Sequence, residues 1–436
     1  MSLLVHKDSP LCVKSELDLF TVPGTQINFK ECRYVSYEPT TSINDMGPIV
    51  FRVPKTEQYL DLNVTYLKLQ FKIVNADGTN VGPEKSVSMI NGAYSLFSDV
   101  QITLNDRVVT HDGGLYPFKC ELENMVNYNS ETKNNSWLQC DLYVEDEAGK
   151  KSNIDPTLPN ANSGLVRRNN YTKGSKLVCA YSRLYSDVLR MNKIFINNTD
   201  LQIKLTRSKE SFALVSPVEN PDFRIKIESA QLYIRKLELD SSVLVAHAKA
   251  LEKNAAKYYF SRTELLSLNI PRGHRTIIKD SVFVGEIPKA IVLALVDDDA
   301  LSGNYKKNPF DFKDYSLNYI GVTVDNVHAQ NSPLIIDSQG DGCEVYHGLY
   351  LARGLLYKNE GIGIKREDFK KGNFICGFNM SPEYGDQPHL SLIKKGSLKI
   401  EMRFDEALPH NVNLIVYAVF DELLQVTKER HIEIDY

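Results

Sequence analysis

Three consecutive carboxylates follow an apolar run in the second half of the sequence and are the residues best arranged to bind a metal ion. In the segment IVLALVDDDALSGNYKKNPFDF, residues 291–312, a continuous apolar stretch ends at Asp297, Asp298 and Asp299. A carboxylate at the end of a buried strand holds magnesium in nucleotide-binding proteins, where it acts with a glycine loop, GxxxxGK followed by Ser or Thr. The sequence contains no such loop, because AGKKS at residues 148–152 lacks the first glycine at the required spacing.

The three aspartates are also poorly arranged to share one ion. Consecutive side chains of an extended chain point to alternate sides, so at most two of them lie on one face. Charge runs are usually solvated, and Gly303 and Asn308-Pro309 indicate turns soon afterwards. We therefore interpret the aspartates as a solvated loop after a buried strand. Each should be dispensable for metal binding, and its replacement should change the stability by about 0.5 kcal/mol or less.

Other residue patterns that support catalysis or cofactor binding are missing from the sequence. The nine histidines form no HExxH motif and no cluster with cysteine, so His410 and His431 are interpreted as ordinary surface or core imidazoles. There is no GxSxG nucleophile elbow and no cysteine signature of thiol catalysis. NEGIGIKRED lacks the third glycine of a dinucleotide loop, and DSQGDGCEVY lacks the calcium-loop pattern. We predict no catalytic, cofactor-binding or metal-binding residues, no cofactor, and no enzymatic activity.

The composition is that of an ordinary globular protein. The chain has 436 residues, enough for two or three domains. Its 51 Lys and Arg against 55 Asp and Glu give a net charge of −4, and neither terminus carries a basic block, so we expect no sequence-specific nucleic-acid binding. Seven scattered cysteines without a CxxC pair predict reduced thiols in a cytosolic or nuclear setting. We expect no signal peptide and no membrane span.

Alternation of apolar and polar residues at a period of two is the dominant pattern. In TYLKLQFKIV, residues 65–74, every second residue is apolar, which predicts a strand with one face in a core. SDVQITLNDRVV repeats the pattern, and its Asn105-Asp106 pair predicts a hairpin turn. In FRIKIESAQLYIRKLEL the apolar positions change from odd to even, which predicts a β-bulge near Ser229.

Helical patterns are few. YPFKCELENMVNY has Pro117 in a plausible first turn, and SSVLVAHAKALEKNAAKYY predicts a linker helix between two strand-rich halves, capped by Ser241 or Ser242. The segment 145–170, rich in Asn, Pro, Gly and charge, is predicted to be a long loop. A basic stripe on the linker helix is interpreted as a solvated face and not as a membrane or nucleic-acid site. Its residues are Lys249, Lys253 and Lys257.

Many short antiparallel strands in two similar halves favour an all-β protein of two sandwiches. Jelly rolls fit best, since their double Greek keys leave long connections at one end of each sandwich. We therefore predict two consecutive jelly rolls, a double jelly roll, with a short linker helix and a few small helices. The predicted parts are an N-terminal arm 1–20, a first jelly roll 21–240, the linker helix 241–262 and a second jelly roll 263–436.

Six segments occur in an order that resembles a known protein family. They are SELDLFTVPGTQ, YLDLNVTYLKLQFKI, SLFSDVQITLND, YPFKCELENMVNYNSETK, GEIPKAIVLALVDDDALSGNYKKNPFDFKDYSLNYIGVTVD and VYAVFDELLQVTKERHIEIDY. Together they resemble the double jelly-roll major capsid proteins of Polinton/Maverick elements and adintoviruses, within the adenovirus-hexon-like lineage. The similarity runs from about Ser15 to Tyr436 and is most specific from Gly285 to Phe312, where a valine-rich strand, a loop and Asn-Pro-Phe follow in fixed order.

The resemblance implies a structural role. Such proteins form homotrimers, pseudo-hexagonal capsomers that tile an icosahedral shell around double-stranded DNA. The implied partners are neighbouring capsomers, a penton protein and minor capsid proteins. The implied location is the virion, after synthesis in the host cytoplasm, with nuclear assembly left open. In this family the segment containing the three aspartates is a strand leading into a loop, without metal chemistry.

Two alternatives belong to other functional classes. A jelly-roll module that binds carbohydrate or another ligand is the main one, since jelly rolls often bind sugars. It predicts an exposed aromatic platform and a secretory context, and the sequence indicates neither. A cupin-type enzyme requires a histidine cluster that the sequence does not contain.

The segment 1–20 is expected to act between capsomers or toward the shell interior, because its alternation is weak and it precedes the first convincing strand.

Overall fold

The computed structural model describes residues 8–10, 12, 14–44, 46–110, 113–329, 332–382, 390 and 392–435. Strands dominate this part of the chain, and they fall into two successive sandwiches joined by one helix. The helices are α1 (Tyr116–Asn127), α2 (Ser130–Asn135), α3 (Ser163–Thr172), α4 (Glu210–Ala213), α5 (Ser241–Leu251), α6 (Asp298–Ser302) and α7 (Cys343–Ala352).

The first sandwich contains two four-stranded sheets, ordered β1-β10-β3-β7 and β2-β8-β5-β6, and a short β4-β9 ribbon. Its strands are β1 (Phe29–Tyr37), β2 (Ile49–Val53), β3 (Tyr59–Asn75), β4 (Ser88–Met89), β5 (Phe97–Leu104), β6 (Arg107–Val108), β7 (Val178–Arg183), β8 (Leu201–Arg207), β9 (Leu214–Val215) and β10 (Phe223–Leu239).

The second sandwich contains sheets ordered β11-β19-β13-β17 and β12-β18-β14-β15, with β20 added to β19 and β16 added to β14. Its strands are β11 (Ala256–Ile270), β12 (Thr276–Glu286), β13 (Ala290–Asp297), β14 (Leu317–Val324), β15 (Val327–His328), β16 (Leu334–Ile335), β17 (Ile375–Asn379), β18 (Lys395–Phe404), β19 (Val412–Val426) and β20 (Ile432–Asp435).

The two sandwiches share one strand plan. In each, the first long strand pairs with the last long strand. The last long strand also pairs with the third strand of the sandwich, and that third strand pairs with the strand after the long helical insertion. We call these two corresponding sheets the first inner sheet (β1-β10-β3-β7) and the second inner sheet (β11-β19-β13-β17). Alternating burial defines their two faces: Phe420 of β19 packs on Phe283 of β12 with ring centroids 5.5 Å apart, so Phe420 faces the sandwich interior. The opposite side of each inner sheet is its outer face.

Three local predictions are confirmed. Helix α1 begins at Tyr116 with Pro117 in its first turn. Asn105 and Asp106 turn between β5 and β6 with positive φ angles of 44° and 69°. The register of β10 against β3 shifts between Ile227 and Ser229, so a β-bulge absorbs the change of apolar phase.

The predicted extent of the linker helix is wrong at its C-terminal end. Helix α5 ends at Leu251, and from Ala256 onward the chain is strand β11. The reason is tertiary, because fifteen residues of β11 pair with β19 and bury Tyr258, whereas no residue of α5 is buried. The N-cap also differs from the prediction, since the Asp240 carboxylate accepts the Ser242 amide at 2.9 Å. Lys257 therefore lies on a strand, outside the predicted helical stripe.

The predicted long loop 145–170 is only partly a loop. Helix α3 begins at Ser163, and its Leu165 and Arg168 are buried, so this segment is packed into the first sandwich. Asn162 caps the helix by accepting the Gly164 amide at 3.1 Å. The segment was predicted to be a loop because its composition is polar. Periodicity and hydropathy do not distinguish buried polar groups that have hydrogen-bond partners from polar groups in solvent.

Candidate functional site: the domain interface and the outer sheet faces

Asp297 is the last residue of β13 and is 8% exposed, so the prediction of a solvated loop residue is wrong at this position. Its carboxylate accepts a hydrogen bond from the Tyr315 hydroxyl at 2.5 Å and contacts the ring nitrogen of His410. The amines of Lys307 and Lys313 lie 3.5 Å and 3.6 Å from it. The loop that follows α6 and the distant loop after β18 thus supply the partners that a buried carboxylate needs.

These partners keep Asp297 ionised. Burial disfavours its charged form, but hydrogen bonds from Tyr315 and His410 and the positive charge of Lys313 outweigh burial, and the pKa of Asp297 is lowered. Burial, together with the adjacent carboxylate, raises the pKa of Tyr315, which therefore remains a hydrogen-bond donor. His410 is the satisfied imidazole that the sequence indicated.

The other two aspartates diverge from Asp297. Asp298 and Asp299 form the first turn of α6, where Asp298 accepts the side-chain amide of Asn413 at 2.6 Å. Asp299 is exposed and lies 3.2 Å from Lys307. Across the part of the chain that the structure describes, no three His, Cys, Asp or Glu side chains gather in a way that could hold a metal ion.

Neither the cysteines nor the helices that the structure describes give a further site. In the residues described, no disulfide bond links two cysteines. Cys12, Cys32, Cys140 and Cys179 are exposed, whereas burial raises the pKa of the Cys376 thiol. None of the described helices is both long and apolar enough to cross a membrane.

The chain that follows α6 carries an aromatic side chain from the second sandwich into the first. Phe310 is 1% exposed. Its ring lies 5.7 Å from Phe118 of α1, 6.3 Å from Phe212 of α4 and 6.4 Å from Tyr94, measured between centroids. The pairs with Phe118 and Phe212 are edge-to-face, and such pairs add to the energy of apolar burial. The Asn-Pro-Phe sequence in the most specific part of the resemblance is thus a contact between the two sandwiches.

Polar groups on the same segment are satisfied across the interface. The side-chain amide of Asn308 donates to Asp146 at 2.8 Å, and the other oxygen of Asp146 is paired with the buried Arg168 at 2.5 Å. The Tyr305 hydroxyl donates to the carbonyl of Phe223 at 3.0 Å. Because these groups find partners only in this arrangement, they select one relative position of the sandwiches.

Two buried lysines of the first sandwich reach carbonyl groups of the second. The Lys151 amine donates to the carbonyls of Phe310 and Gly372 at 3.0 Å and 2.8 Å. The Lys133 amine donates to the carbonyl of Ile362 at 2.9 Å. Removal of either amine would leave buried acceptors unpaired, which is costly. Both lysines therefore fasten the domain interface.

A polar cavity of about 190 Å³ lies beside these lysines, between the two sandwiches. It is lined by Glu121, Glu145, Lys151 and Asp368, among others. Burial raises the pKa of Glu121, and burial lowers the pKa of Lys133 although the charge of Glu145 opposes this. The charged groups around the cavity already have partners within the protein, so we assign it to the domain interface.

The outer face of the second inner sheet is covered by the first sandwich. Tyr417 of β19, 8% exposed, donates its hydroxyl to Glu123 of α1 at 3.2 Å, and burial raises its pKa. Glu123 is also paired with Arg190. At the sheet edge, the backbone amide of Thr263 donates to Asp187 at 2.8 Å, so the edge strand β11 is closed by the turn that follows β7.

The outer face of the first inner sheet carries a row of four tyrosines, one on each strand. They are Tyr34 of β1, Tyr233 of β10, Tyr66 of β3 and Tyr181 of β7. The Tyr66 ring stacks on Tyr233 at 4.8 Å and lies 5.5 Å from Tyr34 and 6.0 Å from Tyr181. Tyr34 and Tyr181 are 49% and 43% exposed. We call this set the tyrosine row.

The tyrosine row corrects the sequence interpretation, which found no exposed aromatic platform. A signal was present: Tyr66 shares the polar phase of β3 with Lys68, and Tyr233 lies between the apolar positions 232 and 234. An aromatic residue in the polar phase of a half-buried strand indicates a surface contact. The joining of four such residues depends on strand order, which the sequence pattern does not contain.

Replacement of Asp297 by Asn should lower the free energy of unfolding at pH 7 by about 2 kcal/mol, because charge-assisted hydrogen bonds are lost. The pKa of Asp297 is lower in the folded protein than in the unfolded chain, so its contribution is complete above the unfolded value and is lost as the pH falls through the folded value. Chemical denaturation of both proteins should show the difference shrinking below about pH 4. The control, Asp299→Asn, should stay within about 0.5 kcal/mol; equal effects of both substitutions would contradict the assignment.

Replacement of Phe310 by Ala should lower the free energy of unfolding by about 3–5 kcal/mol, because a large buried ring is removed and a cavity remains. Phe20→Ala is the matched control, since Phe20 is 95% exposed and its loss should change stability by about 0.5 kcal/mol or less. Differential scanning calorimetry of the two variants measures the effect. A Phe310 variant that melts with the wild type would show that the aromatic contact does not hold the sandwiches together.

Comparison with known proteins gives one curated sequence relative and several solved structures. No protein-family model matches the sequence. An uncharacterized protein of Caenorhabditis elegans is 23% identical over 433 residues, which cover 95% of this chain and 99% of the nematode protein. The 3.5 Å structure of the Sputnik virophage aligns with a TM-score of 0.64 and 12% identity, over 98% of this chain and 93% of that chain.

Two further similar structures are major capsid proteins. The mavirus protein aligns with a TM-score of 0.59 and 12% identity, over 100% of this chain and 97% of that one. The Faustovirus protein aligns with a TM-score of 0.57 and 9% identity, over 96% and 93% of the two chains. The predicted fold is confirmed: this chain is an all-β protein with the double jelly-roll fold of those capsid proteins.

Proposed function

We propose that the chain is a major capsid protein of the Polinton/Maverick and adintovirus group, with a structural and not an enzymatic role. The observation that carries the proposal is the pairing of two jelly rolls with the same strand plan in one chain. Two similar sandwiches per chain allow three chains to present six similar lateral surfaces. The fold likeness to virophage, mavirus and Faustovirus capsid structures over nearly the whole chain supports it.

In this proposal three chains form a pseudo-hexagonal capsomer, and capsomers tile an icosahedral shell around double-stranded DNA. Neighbouring capsomers, a penton protein and minor capsid proteins are the partners. The net charge of −4 suits a shell that leaves condensation of the DNA to other proteins. The protein is made in the host cytoplasm and functions in the virion.

The proposed domain organisation is an N-terminal arm, a first jelly roll from β1 to β10, the linker helix α5, and a second jelly roll from β11 to β20. The arm prediction, residues 1–20, lies partly outside the described residues. Its described end exposes Leu17, Leu19 and Phe20 at 68%, 75% and 95%. Large apolar side chains in this state are suited to a contact outside the chain, and we propose another capsomer or the shell interior as that contact.

A carbohydrate-binding module is the second candidate function. The tyrosine row favours it, since exposed aromatic faces on a jelly roll can stack against sugar rings. Capsid assembly explains both sandwiches, whereas sugar binding explains one face of one sandwich. The capsid proposal is therefore the stronger of the two.

The purified protein should be a trimer in solution, because two similar sandwiches per chain allow three copies to close a ring of six. Light scattering coupled to size exclusion should give three times the mass of the chain, and negative-stain electron microscopy should show pseudo-hexagonal particles. A monomer at micromolar concentration that binds glycans would contradict the capsid proposal and support the second candidate.

Deletion of residues 1–20 should leave the trimer folded while impairing shell assembly, since the exposed apolar side chains of the arm are available to partners. Thermal unfolding of the truncated trimer and particle yield in an assembly assay are the paired measurements. A full-length variant with Leu17, Leu19 and Phe20 replaced by Ser separates apolar contact from chain length and should assemble equally poorly. Normal particle yield from both would remove the assembly role, and failure to fold would place the segment in a sandwich.

A further inference from the structure

We propose that an apolar groove beside the linker helix α5 receives the N-terminal arm of a second copy of this chain. The groove, which we call the linker groove, lies between the end of α5, the start of β11 and the turn that precedes β8. The inference rests on the proposed capsid function, in which the arm acts between copies, and it names the surface that the arm contacts.

The linker groove is an open cavity of about 280 Å³ with an apolar floor. The floor is formed by Ile194, Ile196, Leu251, Ala256 and the rings of Tyr59 and Tyr258. Tyr258 is held in place, since its hydroxyl accepts the Ile196 amide at 3.0 Å. The cavity is smaller than most small-molecule sites, which measure about 300–1,000 Å³, and it is far too small for a folded domain. It therefore fits the side chains of an extended segment.

The rim of the linker groove is basic. Lys193 and Lys257 line it and are exposed, and the Lys193 amine donates to the carbonyl of Lys257 at 3.2 Å. His247 completes the rim, with its Nδ1 atom 2.9 Å from the Tyr59 hydroxyl. The positive charge of Arg430 acts here too, since it opposes the rise that burial causes in the pKa of Tyr59. No acidic residue is among the described residues that line the groove, so it favours a partner with carboxylates.

The arm has the complementary pattern. Leu17, Leu19 and Phe20 are 68%, 75% and 95% exposed. Alternate residues of an extended chain share a face, so Leu17 and Leu19 can enter an apolar groove together. Glu16 and Asp18 then remain at its mouth, within reach of the lysines of the rim. The segment 16–20 carries these two carboxylates and no basic residue, so its charge is opposite to that of the groove.

The arm leaves the first sandwich beside the other end of α5. The Asp240 amide, at the N-cap of the helix, donates to the carbonyl of Asn28 at 2.8 Å. The eight residues from Phe20 to Asn28 can extend over about 26–29 Å. Helix α5, with 11 residues, is about 16 Å long. The length of the arm is therefore sufficient to reach beyond the helix, to a linker groove of its own chain or of a neighbour.

The exposure of the arm favours a neighbouring copy as the occupant. All described residues between 8 and 28 are exposed, although the groove of the same chain is within reach. The 3-10 turn Ser15–Leu17 buries no residue, so it does not hold the arm away from that groove. Because every copy has both an arm and a groove, one such contact can be repeated between copies throughout a shell.

The first test places a carboxylate in the groove of the full-length chain by the substitution Ala250→Glu. Ala248→Glu is the matched control, because both alanines are exposed on α5 and only Ala250 lines the groove. Particle yield in an assembly assay should fall about tenfold or more for the Ala250 variant and stay unchanged for the control. Light scattering and thermal unfolding before assembly should show both variants unchanged. Equal particle yields from the two variants would overturn the inference.

A charge exchange tests the pairing of arm and rim. Glu16→Lys with Asp18→Lys reverses the arm, and Lys193→Glu with Lys257→Glu reverses the rim. Each reversal alone should lower particle yield, because like charges then meet at the mouth of the groove. The chain that carries all four substitutions should recover most of the yield. A fourfold variant that assembles no better than either reversal would contradict the contact.

Cross-linking in assembled particles identifies the copy that supplies the arm. The variant combines Thr21→Cys in the arm with Asn254→Cys in the groove, both at exposed positions. After oxidation, denaturing electrophoresis without reductant should show pairs of chains, and mass spectrometry should find a disulfide between positions 21 and 254. Thr21→Cys with Asn160→Cys is the control, since Asn160 is exposed outside the groove, and it should give no such disulfide.

The outcomes separate this inference from the proposed function. A wild-type chain that forms particles, with an Ala250 variant that assembles normally or without the disulfide between positions 21 and 254, overturns the inference and leaves the capsid proposal standing. A disulfide formed only within single chains also overturns it, because the groove then holds the arm of its own chain. A wild-type chain that stays monomeric and forms no particles overturns both.

Discussion

The insertion of Phe310 into the first sandwich, fastened by Lys151, is the contact on which the arrangement of the two jelly rolls depends. Burial of a phenylalanine side chain stabilises by about 2–3 kcal/mol, and the ring cluster adds directional packing. The buried Lys151 amine reaches two carbonyls of the second sandwich, so a shift of the domains would leave a buried charge without partners. Apolar burial supplies the attraction, and the buried polar contacts restrict it to one geometry.

Because the two sandwiches are held in one arrangement, the first and second inner sheets have different surroundings although they share one strand plan. The second inner sheet is covered by the first sandwich, and its Tyr417 is buried. The first inner sheet faces outward and presents the tyrosine row.

The three adjacent aspartates differ in burial and in their partners, which the run of charge in the sequence does not indicate. Asp297 ends a buried strand and is kept ionised by Tyr315, His410 and two lysines, without a metal-binding arrangement among the residues that the structure describes. A run of carboxylates is a reliable sign of solvation only where no loop returns to pair with it. Here the loops after β13 and β18 both return, so one of three adjacent aspartates is structural and another is exposed.

The sequence by itself determined an all-β chain of two sandwiches, the bulge near Ser229 and the hairpin at Asn105, because these depend on side-chain alternation and local turn chemistry. The double jelly roll was expected chiefly from the family resemblance. The resemblance marked the segment containing Phe310 without giving its role. Only the tertiary structure decided where helix α5 ends, which aspartate is buried, how the lysines cross the interface and that four tyrosines form one row. Each of these depends on residues far apart in sequence, and a local pattern carries no information on which distant strand or loop will be the neighbour.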